Sequence, residues 1–346
     1  MVIALIFFII LLFSSYIEIF RKKDISIFLY MFITIILILF AGLRTGGYDY
    51  QVYHDAYYSI INFEDIAGTN FELGFSFFMY IFRILNLSFS NFIFVVAMLS
   101  IGIKAYIFYK DFNTCKFTLM LTYYTIFYFG MELAQIRSGL CLSFSMVAIH
   151  YLIDSKYLKS IAFFVLGVLF HIEALALIPL YLLINVKSLK PIYMILFLSL
   201  CVSFIDLSQT LMFVNDNILH SDFLRIKIID NFGTGDSIYN ISNFYRVFII
   251  ITYYLIPNRE QIKKYAIIYI YGFILALAFN QIELLAIRTS GLFKLYEVII
   301  LFTAISFLMS KKKLKKYAIS IYIVFVLYNV AKFGLLMFDP VLNSIY

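Results

Sequence analysis

The chain has 346 residues, of which 64% are hydrophobic, 20% are aromatic and only 14% are charged. Its mean hydropathy is +0.95. A water-soluble fold of this length could not bury so much apolar surface, so the composition indicates a polytopic membrane protein. The net charge of +7 does not indicate a nucleic-acid partner, because the basic residues lie in short connectors between apolar runs, where the positive-inside rule places them.

Apolar runs close to the roughly 20 residues that cross a bilayer recur along the chain and predict about 12 transmembrane helices. In chain order they lie at about 2–20, 25–41, 89–109, 117–131, 135–153, 158–170, 173–186, 191–206, 244–257, 265–280, 285–308 and 317–337. A further segment, 71–87, carries Glu72, Arg83 and Asn86 and forms either a full span or a re-entrant or interfacial helix. The sequence therefore predicts an all-α polytopic protein. It is expected to form a single membrane domain, 1–346, with outer loops at about 42–70 and 207–243.

The positions of the basic residues predict which ends of these helices face the cytoplasm. If 71–87 does not cross, most Lys and Arg residues fall in connectors on one side of the membrane, which is then the cytoplasm. These connectors lie at 21–24, 110–116, 154–159, 187–190, 258–264 and 311–316. They are too short to hold a soluble catalytic domain. We therefore expect any chemistry at the outer face or within the membrane. Arg44, Glu72, Arg137, His171 and Arg288 lie at or near the outer ends of the predicted helices.

The strongest candidate segment is Met131-Glu132-Leu133-Ala134-Gln135-Ile136-Arg137-Ser138-Gly139, between two apolar runs. A charged residue at the mouth of a membrane helix is costly unless it is paired or hydrated, and Arg suits bidentate contact with phosphate. Arg137, with Gln135 and the backbone amides of the turn, is therefore a candidate phosphate-binding group. The alternative is an Arg137 to Glu132 ion pair that closes a hairpin. The sequence leaves both readings open.

Two further side chains are candidates at predicted helix ends. His171 lies between two apolar runs, and an imidazole, with an unperturbed pKa of about 6.5, can act as a general base or donate to a phosphate. The alternative for His171 is an interfacial hydrogen-bonding role. Arg288 enters an apolar run with no acidic residue three or four positions away. This makes Arg288 a candidate ligand for an anionic group.

A polar, glycine-broken segment follows the second apolar run and contains Arg44 and Asp49. The carboxylates of Asp49 and Glu72 could deprotonate a hydroxyl group or orient a sugar. Aromatic faces for sugar rings are offered by Tyr48, Tyr50, Tyr53, Tyr57 and Tyr58. The alternative is an ordinary solvated acidic loop with an interfacial belt of tyrosines, which we prefer for Asp55, Glu64 and Asp65. No GxxxxGKS/T, HExxH, GxSxG or CxxC motif occurs, so nucleotide hydrolysis, zinc proteolysis and hydrolase-elbow chemistry have no support in the sequence. Because no clustered carboxylate motif is present, we expect no metal, and we expect no other cofactor.

Four short motifs occur in a definite order between about 41 and 300. They are Ala41-Gly42-Leu43-Arg44 with Asp49 and Tyr53, Glu72-Leu73-Gly74-Phe75, Ile136-Arg137-Ser138-Gly139-Leu140 with the later Phe170-His171, and Ala286-Ile287-Arg288. Together they resemble the EpsG-type membrane proteins of bacterial exopolysaccharide synthesis, which are related to the Wzy polymerases of O-antigen and capsule. The chain departs from the family pattern at Leu73, where proline is usual, and at Ser138, where glutamine is common.

The resemblance implies glycosyl transfer at the outer face of the bacterial cytoplasmic membrane. A growing glycan would leave its undecaprenyl pyrophosphate carrier and join another lipid-linked repeat unit. The resemblance and the residue chemistry give the expected site residues as Arg44, Tyr53, Gln135, Arg137 and Arg288 for substrate binding and Asp49, Glu72 and His171 for proton transfer. Expected partners are the undecaprenyl-pyrophosphate-linked glycan and membrane lipid, with a chain-length regulator and a flippase of the same pathway as further candidates.

Two other functions compete with polymerisation. A transporter or flippase of lipid-linked oligosaccharide would also use arginines at the outer mouths of helices, but it should carry polar or basic residues deep in several spans, and most runs here are nearly all apolar. A membrane O-acetyltransferase acting on the glycan would need a catalytic histidine in an acyl-donor site, for which His171 is the candidate.

Overall fold

The computed structural model describes residues 2–21, 26–205, 209, 212–213, 215–219 and 240–337. Within these ranges the chain is helical and contains no strand, which confirms the predicted all-α class. The helices α1 to α15 are, in order, Val2–Tyr16, Ile27–Gly42, Tyr50–Ser59, Leu73–Ile84, Phe89–Asp111, Lys116–Tyr123, Ile136–Ile153, Tyr157–Phe170, Ile178–Leu183, Lys190–Ser203, Ile241–Tyr254, Lys263–Ala278, Glu283–Lys294, Glu297–Ser310 and Lys315–Met337. Most of the predicted outer loop 207–243 lies outside the described residues.

Five helical stretches in the described part of the chain are long and apolar enough to cross a membrane. They are Val2–Arg21, Phe89–Asp111, Ile136–Ile153, Arg259–Ala278 and Lys312–Leu336. A sixth span would be formed if Leu285–Lys294 and Glu297–Ser310, which meet at a 42° bend, count as one. These helices and their composition make the chain a membrane protein. The predicted count of about 12 spans is not confirmed, because several apolar runs form shorter helices, such as the 14-residue α8.

The segment 71–87 forms the short helix α4 and does not form a full-length span. Its 12 residues extend over about 18 Å at the α-helical rise, whereas the hydrocarbon layer is about 30 Å thick. One face of the helix packs inward, with Phe75 and Met79 buried, whereas Phe77 on the other face is exposed. It ends before Asn86, whose φ of 53° is left-handed and interrupts the helical path. The geometry favours the re-entrant or interfacial helix over the full span.

The helices pack into two compact units, Met1–Leu177 with Leu301–Tyr346, and Ile178–Ile300. In the first unit, α5 packs against α2 and α7, and α7 packs against α8. The helix α15 packs against a π-helical segment, Tyr124–Glu132, which follows α6. In the second unit, α12 packs against α10 and α13. The single membrane domain stays a prediction.

The predicted outer loop 42–70 contains the helix α3 and is therefore not irregular throughout. Tyr53 and Tyr57 lie four positions apart on one face of α3, and they are 2% and 0% exposed. They pack in an aromatic core with Phe75 and Phe92, and the Tyr57 hydroxyl donates to the Leu87 carbonyl at 2.7 Å. Neither ring is an open platform for a sugar.

Candidate functional site

Arg137, the second residue of α7, forms an ion pair with Glu72, which directly precedes α4. Its Nη1 donates to Glu72 Oε2 at 2.5 Å, and the guanidinium lies over the Phe71 ring at 4.4 Å from the centroid. The two side chains are 20% and 21% exposed, so the pair is partly open to a ligand. The alternative in which Arg137 pairs with Glu132 is therefore wrong. The N–H groups at the start of α7 add a partial positive charge beside Arg137, which favours a bound anion.

Glu132 instead pairs with Lys104, a residue of α5 that sequence reasoning missed. Lys104 Nζ lies 2.9 Å from Glu132 Oε1 and also donates to the Gly139 carbonyl and to Ser143 Oγ, both at 2.7 Å. The Tyr123 hydroxyl donates to the same carboxylate oxygen at 2.7 Å. Lys104 and Glu132 are 0% and 2% exposed. The signal available in the sequence was a lysine inside an apolar run, where an ionisable side chain requires a partner.

His171 extends the cluster to the end of α8. Its Nδ1 lies 3.3 Å from Glu72 Oε1, and its Nε2 lies 3.5 Å from Glu173 Oε1. The Ser138 hydroxyl donates to Glu173 Oε1 at 3.2 Å, and the Ile172 N–H donates to Glu72 Oε1 at 3.3 Å. Sequence reasoning missed Glu173, although it stands two residues after the candidate histidine. These contacts bring the start of α7 and the end of α8 to the start of α4.

Glu72 is ionised at neutral pH. Burial raises the pKa of its carboxyl group, but His171, Arg137 and the Ile172 N–H lower it. The resulting pKa lies below its ordinary value. A carboxylate with a lowered pKa is a weak base, so the site suits Glu72 better to holding Arg137 than to accepting a proton near neutral pH.

Arg44 follows α2 and is buried, with 7% of its surface exposed. Its Nη1 donates to the Leu133 carbonyl, and its guanidinium lies 5.7 Å from the centroid of the Tyr50 ring. Nε and Nη2 have no hydrogen-bond partner in the described structure. Burial lowers the pKa of Arg44, opposed by neighbouring groups that include Tyr53 and Glu132, but a guanidinium keeps its proton in proteins. A buried cation with unused donors is suited to bind an anion.

Tyr53 lies beside both arginines. Burial raises the pKa of its hydroxyl, and the neighbouring Arg137 and Arg44 oppose that rise. The centroid of its ring is 6.0 Å from the Arg137 guanidinium carbon. Tyr53 therefore joins the two cations into one cluster.

Asp49 and Gln135 lie beside this cluster, Asp49 near Tyr53 and Gln135 two residues before Arg137, whereas Arg288 belongs to the other unit. Asp49 lies at the start of α3, is exposed and has a left-handed φ of 55°. Gln135 directly precedes α7 and is partly buried. Arg288 belongs to α13 in the second unit, where it is partly buried and interacts with another group. The structure thus brings together Arg44, Tyr53, Glu72, Arg137 and His171 within the first unit.

Gly74 allows α4 to approach the end of α8. A Cβ atom at this position would lie 2.6 Å from both Cβ and the carbonyl oxygen of Leu169. The close approach places Glu72 beside His171, which is two residues beyond Leu169.

Gly74→Ala is expected to destabilise the protein by about 1–3 kcal/mol, since the added methyl group would meet backbone that cannot move without displacing α8. Thermal melting of the purified protein measures this loss. Gly102→Ala in α5 is the matched control, because a Cβ there meets no atom within 4 Å. Equal melting temperatures for the Gly74→Ala and Gly102→Ala proteins would contradict the steric argument.

The fold and this cluster define a helical membrane protein that gathers two arginines, a histidine and carboxylates at one end of its helices. A family model described as the EpsG family matches residues 27–337. The chain belongs to the EpsG family, which confirms the predicted family. Neither a curated protein nor a solved structure matches the chain.

Proposed function

We propose that this protein is a polysaccharide polymerase that joins undecaprenyl-pyrophosphate-linked oligosaccharide units at the outer face of the bacterial cytoplasmic membrane. Membership of the EpsG family and the apolar helices support a role in polysaccharide synthesis within a membrane. The observation that carries the proposal is the pair of arginines, Arg44 and Arg137, placed around Tyr53 at one end of the helices of the first unit.

The arginines would act on the diphosphate of the donor. In the transfer step a bond forms between the acceptor hydroxyl oxygen and the anomeric carbon of the donor sugar, while the bond from that carbon to the diphosphate oxygen breaks. The diphosphate leaves with the bonding electron pair, and nearby cations stabilise the charge that develops on it. Arg137 can offer its Nε, which has no hydrogen-bond partner in the described structure, and Arg44 can offer Nε and Nη2. Arg288 is a further candidate for binding an anionic group of the substrate.

The proton of the acceptor hydroxyl would pass to Asp49, Glu72 or His171. Glu72 is the weakest candidate, because Arg137 and the Ile172 N–H already hold both of its carboxylate oxygens. His171 has carboxylates near both ring nitrogens, and Asp49 is exposed. Asp49 is therefore the better candidate for the general base, because a histidine whose two ring nitrogens both face carboxylates has no free nitrogen to accept a proton. Gln135 is a neighbouring contact for the substrate.

Deletion of the gene distinguishes polymerisation from the alternatives. The surface glycan of the deletion strain is separated on a gel and stained for the repeat unit. Single repeat units on the carrier or acceptor, with the longer ladder lost and then restored by the wild-type gene, are the expected result. Lipid-linked units trapped inside the cell would instead indicate a flippase. A full ladder that has lost only its O-acetyl groups would indicate an acetyltransferase, and an unchanged glycan would overturn all three functions.

A further inference from the structure

One face of α3 carries aromatic rings that are not buried in the core. Tyr50, His54 and Tyr58 lie four positions apart and form one row along the helix. The ring centroids of Tyr50 and His54 are 6.5 Å apart, and those of His54 and Tyr58 are 4.8 Å apart. Tyr58 is 43% exposed, and the other two residues are partly exposed. The row therefore presents ring surface to the surroundings, unlike Tyr53 and Tyr57 on the buried face.

The rest of the fold holds this aromatic row in place. Phe89, the first residue of α5, is buried and meets the rings of Tyr50 and His54 edge to face, with both centroids at 5.3 Å. At the other end of the row, the Arg83 guanidinium carbon lies 5.2 Å from the centroid of the Tyr58 ring. Arg83 is itself anchored, since its Nε donates to a backbone carbonyl at 3.1 Å. Rings that are already fixed lose little conformational entropy when a ligand packs on them.

A polar row runs beside the aromatic row. Gln51 Nε2 donates to Asp55 Oδ1 at 2.6 Å, and His54 Nδ1 lies 3.2 Å from the same oxygen. Gln51 and Asp55 are both exposed. An amide and a carboxylate offer donors and acceptors to hydroxyl groups. Aromatic surface with a few positioned polar groups beside it is typical of a ligand-binding site.

The aromatic row begins at the site of the two arginines. The Arg44 guanidinium carbon lies 5.7 Å from the centroid of the Tyr50 ring, and Tyr53 of the same helix lies beside Arg137. From Tyr50 the row continues to Tyr58 over about 12 Å at the α-helical rise. This length exceeds that of one pyranose ring, so the row fits an oligosaccharide.

We propose that this surface binds sugar units of the glycan that do not themselves react, and so holds the growing chain near the arginines between successive transfers. The inference rests on the proposed function and adds to it a second site, away from the groups that act on the diphosphate. The C–H face of a pyranose ring packs on an aromatic ring, while its hydroxyl groups exchange hydrogen bonds with Gln51 and Asp55. An interfacial belt against lipid headgroups suits the surface less well, because the Asp55 carboxylate repels phosphate.

The chain contains no tryptophan, so Tyr58→Trp keeps a ring in the aromatic row and reports on it by fluorescence. Phe63→Trp is the matched control, because Phe63 is a 64% exposed aromatic residue of the same predicted outer loop and lies outside the row. Each full-length variant is placed in lipid nanodiscs. It is titrated with oligosaccharides of a few repeat units, released from the strain's own surface glycan and free of the lipid carrier.

The fluorescence of Tyr58→Trp is expected to change saturably with the oligosaccharide concentration, whereas that of Phe63→Trp is not. Adding Asp55→Ala should raise the half-saturation concentration about two- to tenfold, the loss typical of a hydrogen bond. An absent response at position 58, or the same response at position 63, would overturn the proposal. So would a response of Tyr58→Trp to anionic lipid without a response to the oligosaccharide, which would assign the row to an interfacial belt.

The length of the glycan gives a second readout. The deletion strain complemented with Tyr58→Ala should show a shorter ladder than the wild type, at an unchanged melting temperature of the purified protein. Tyr58→Trp, which retains a ring, should give longer chains than Tyr58→Ala. Phe63→Ala is the control and should give the wild-type ladder. Chains of wild-type length from Tyr58→Ala would exclude the holding role.

The two readouts separate this inference from the proposed function. If Tyr58→Trp binds the oligosaccharide but deletion of the gene leaves the surface glycan unchanged, the glycan site stands and polymerisation does not. If deletion removes the long ladder but Tyr58→Trp shows no saturable response, polymerisation stands and the aromatic row is not a glycan site.

Discussion

Arg137→Ala is expected to lower the rate of glycan polymerisation by about 10²- to 10³-fold, the loss typical of removing one preorganised charge-stabilising donor. The substitution removes the cation that would face the departing diphosphate. It also leaves the Glu72 carboxylate without its arginine partner, so that less of its negative charge is neutralised where the diphosphate should bind. The rate is measured with the purified protein and lipid-linked repeat units, by following the appearance of products with two or more repeats.

Two further variants test whether Arg137 acts through its geometry as well as its charge. Arg137→Lys retains the charge but loses the planar, two-donor group, so its rate should remain well below that of the wild type. Arg259→Lys is the matched control, because Arg259 is exposed and lies in a 3₁₀ turn of the second unit. Its rate should be unchanged. Wild-type rates for both Arg137 variants, with melting temperatures also unchanged, would remove Arg137 from the site.

The sequence was enough to select several members of the cluster but not to pair them. Arg44, Glu72, Arg137 and His171 could each be chosen because a charged or titratable group at the end of an apolar run needs a partner or a function. Their common location follows from the packing of α2, α4, α7 and α8. The pairing of Arg137 with Glu72 joins residues 65 positions apart, whereas the only ion pair that local spacing suggested for Arg137 was with the nearer Glu132.

The number of spans could not be read from hydropathy because hydropathy does not report where a helix breaks. The apolar stretch around His171 forms α8, a 3₁₀ turn at Ile172–Leu177 and the short helix α9. The run at 117–131 changes from an α-helix to a π-helix at Tyr124. Hydropathy does not identify Lys104 either, because one lysine changes the mean hydropathy of a 23-residue apolar helix very little.

Lys104→Met is expected to destabilise the protein by about 3–5 kcal/mol, because it leaves the buried Glu132 carboxylate without its counter-charge. The methionine is similar in length and apolar, so the loss would come from the charge rather than from a cavity. Unfolding of the purified protein in detergent measures it. Lys110→Met is the matched control in the same helix, since Lys110 is exposed, and it should melt close to the wild type.

The double variant Lys104→Met, Glu132→Gln separates the cost of an unpaired charge from the value of the pair. Once both charges are removed, the amide can still accept from Tyr123, and most of the lost stability should return. Its polymerisation rate should nevertheless lie below that of the wild type, because Glu132 precedes the Leu133 carbonyl that holds Arg44 and lies five residues before Arg137. Recovery of stability without recovery of rate would assign the Lys104 and Glu132 pair to positioning the two arginines. Recovery of both stability and rate would mean that the Lys104 and Glu132 pair contributes only to the packing of the helices.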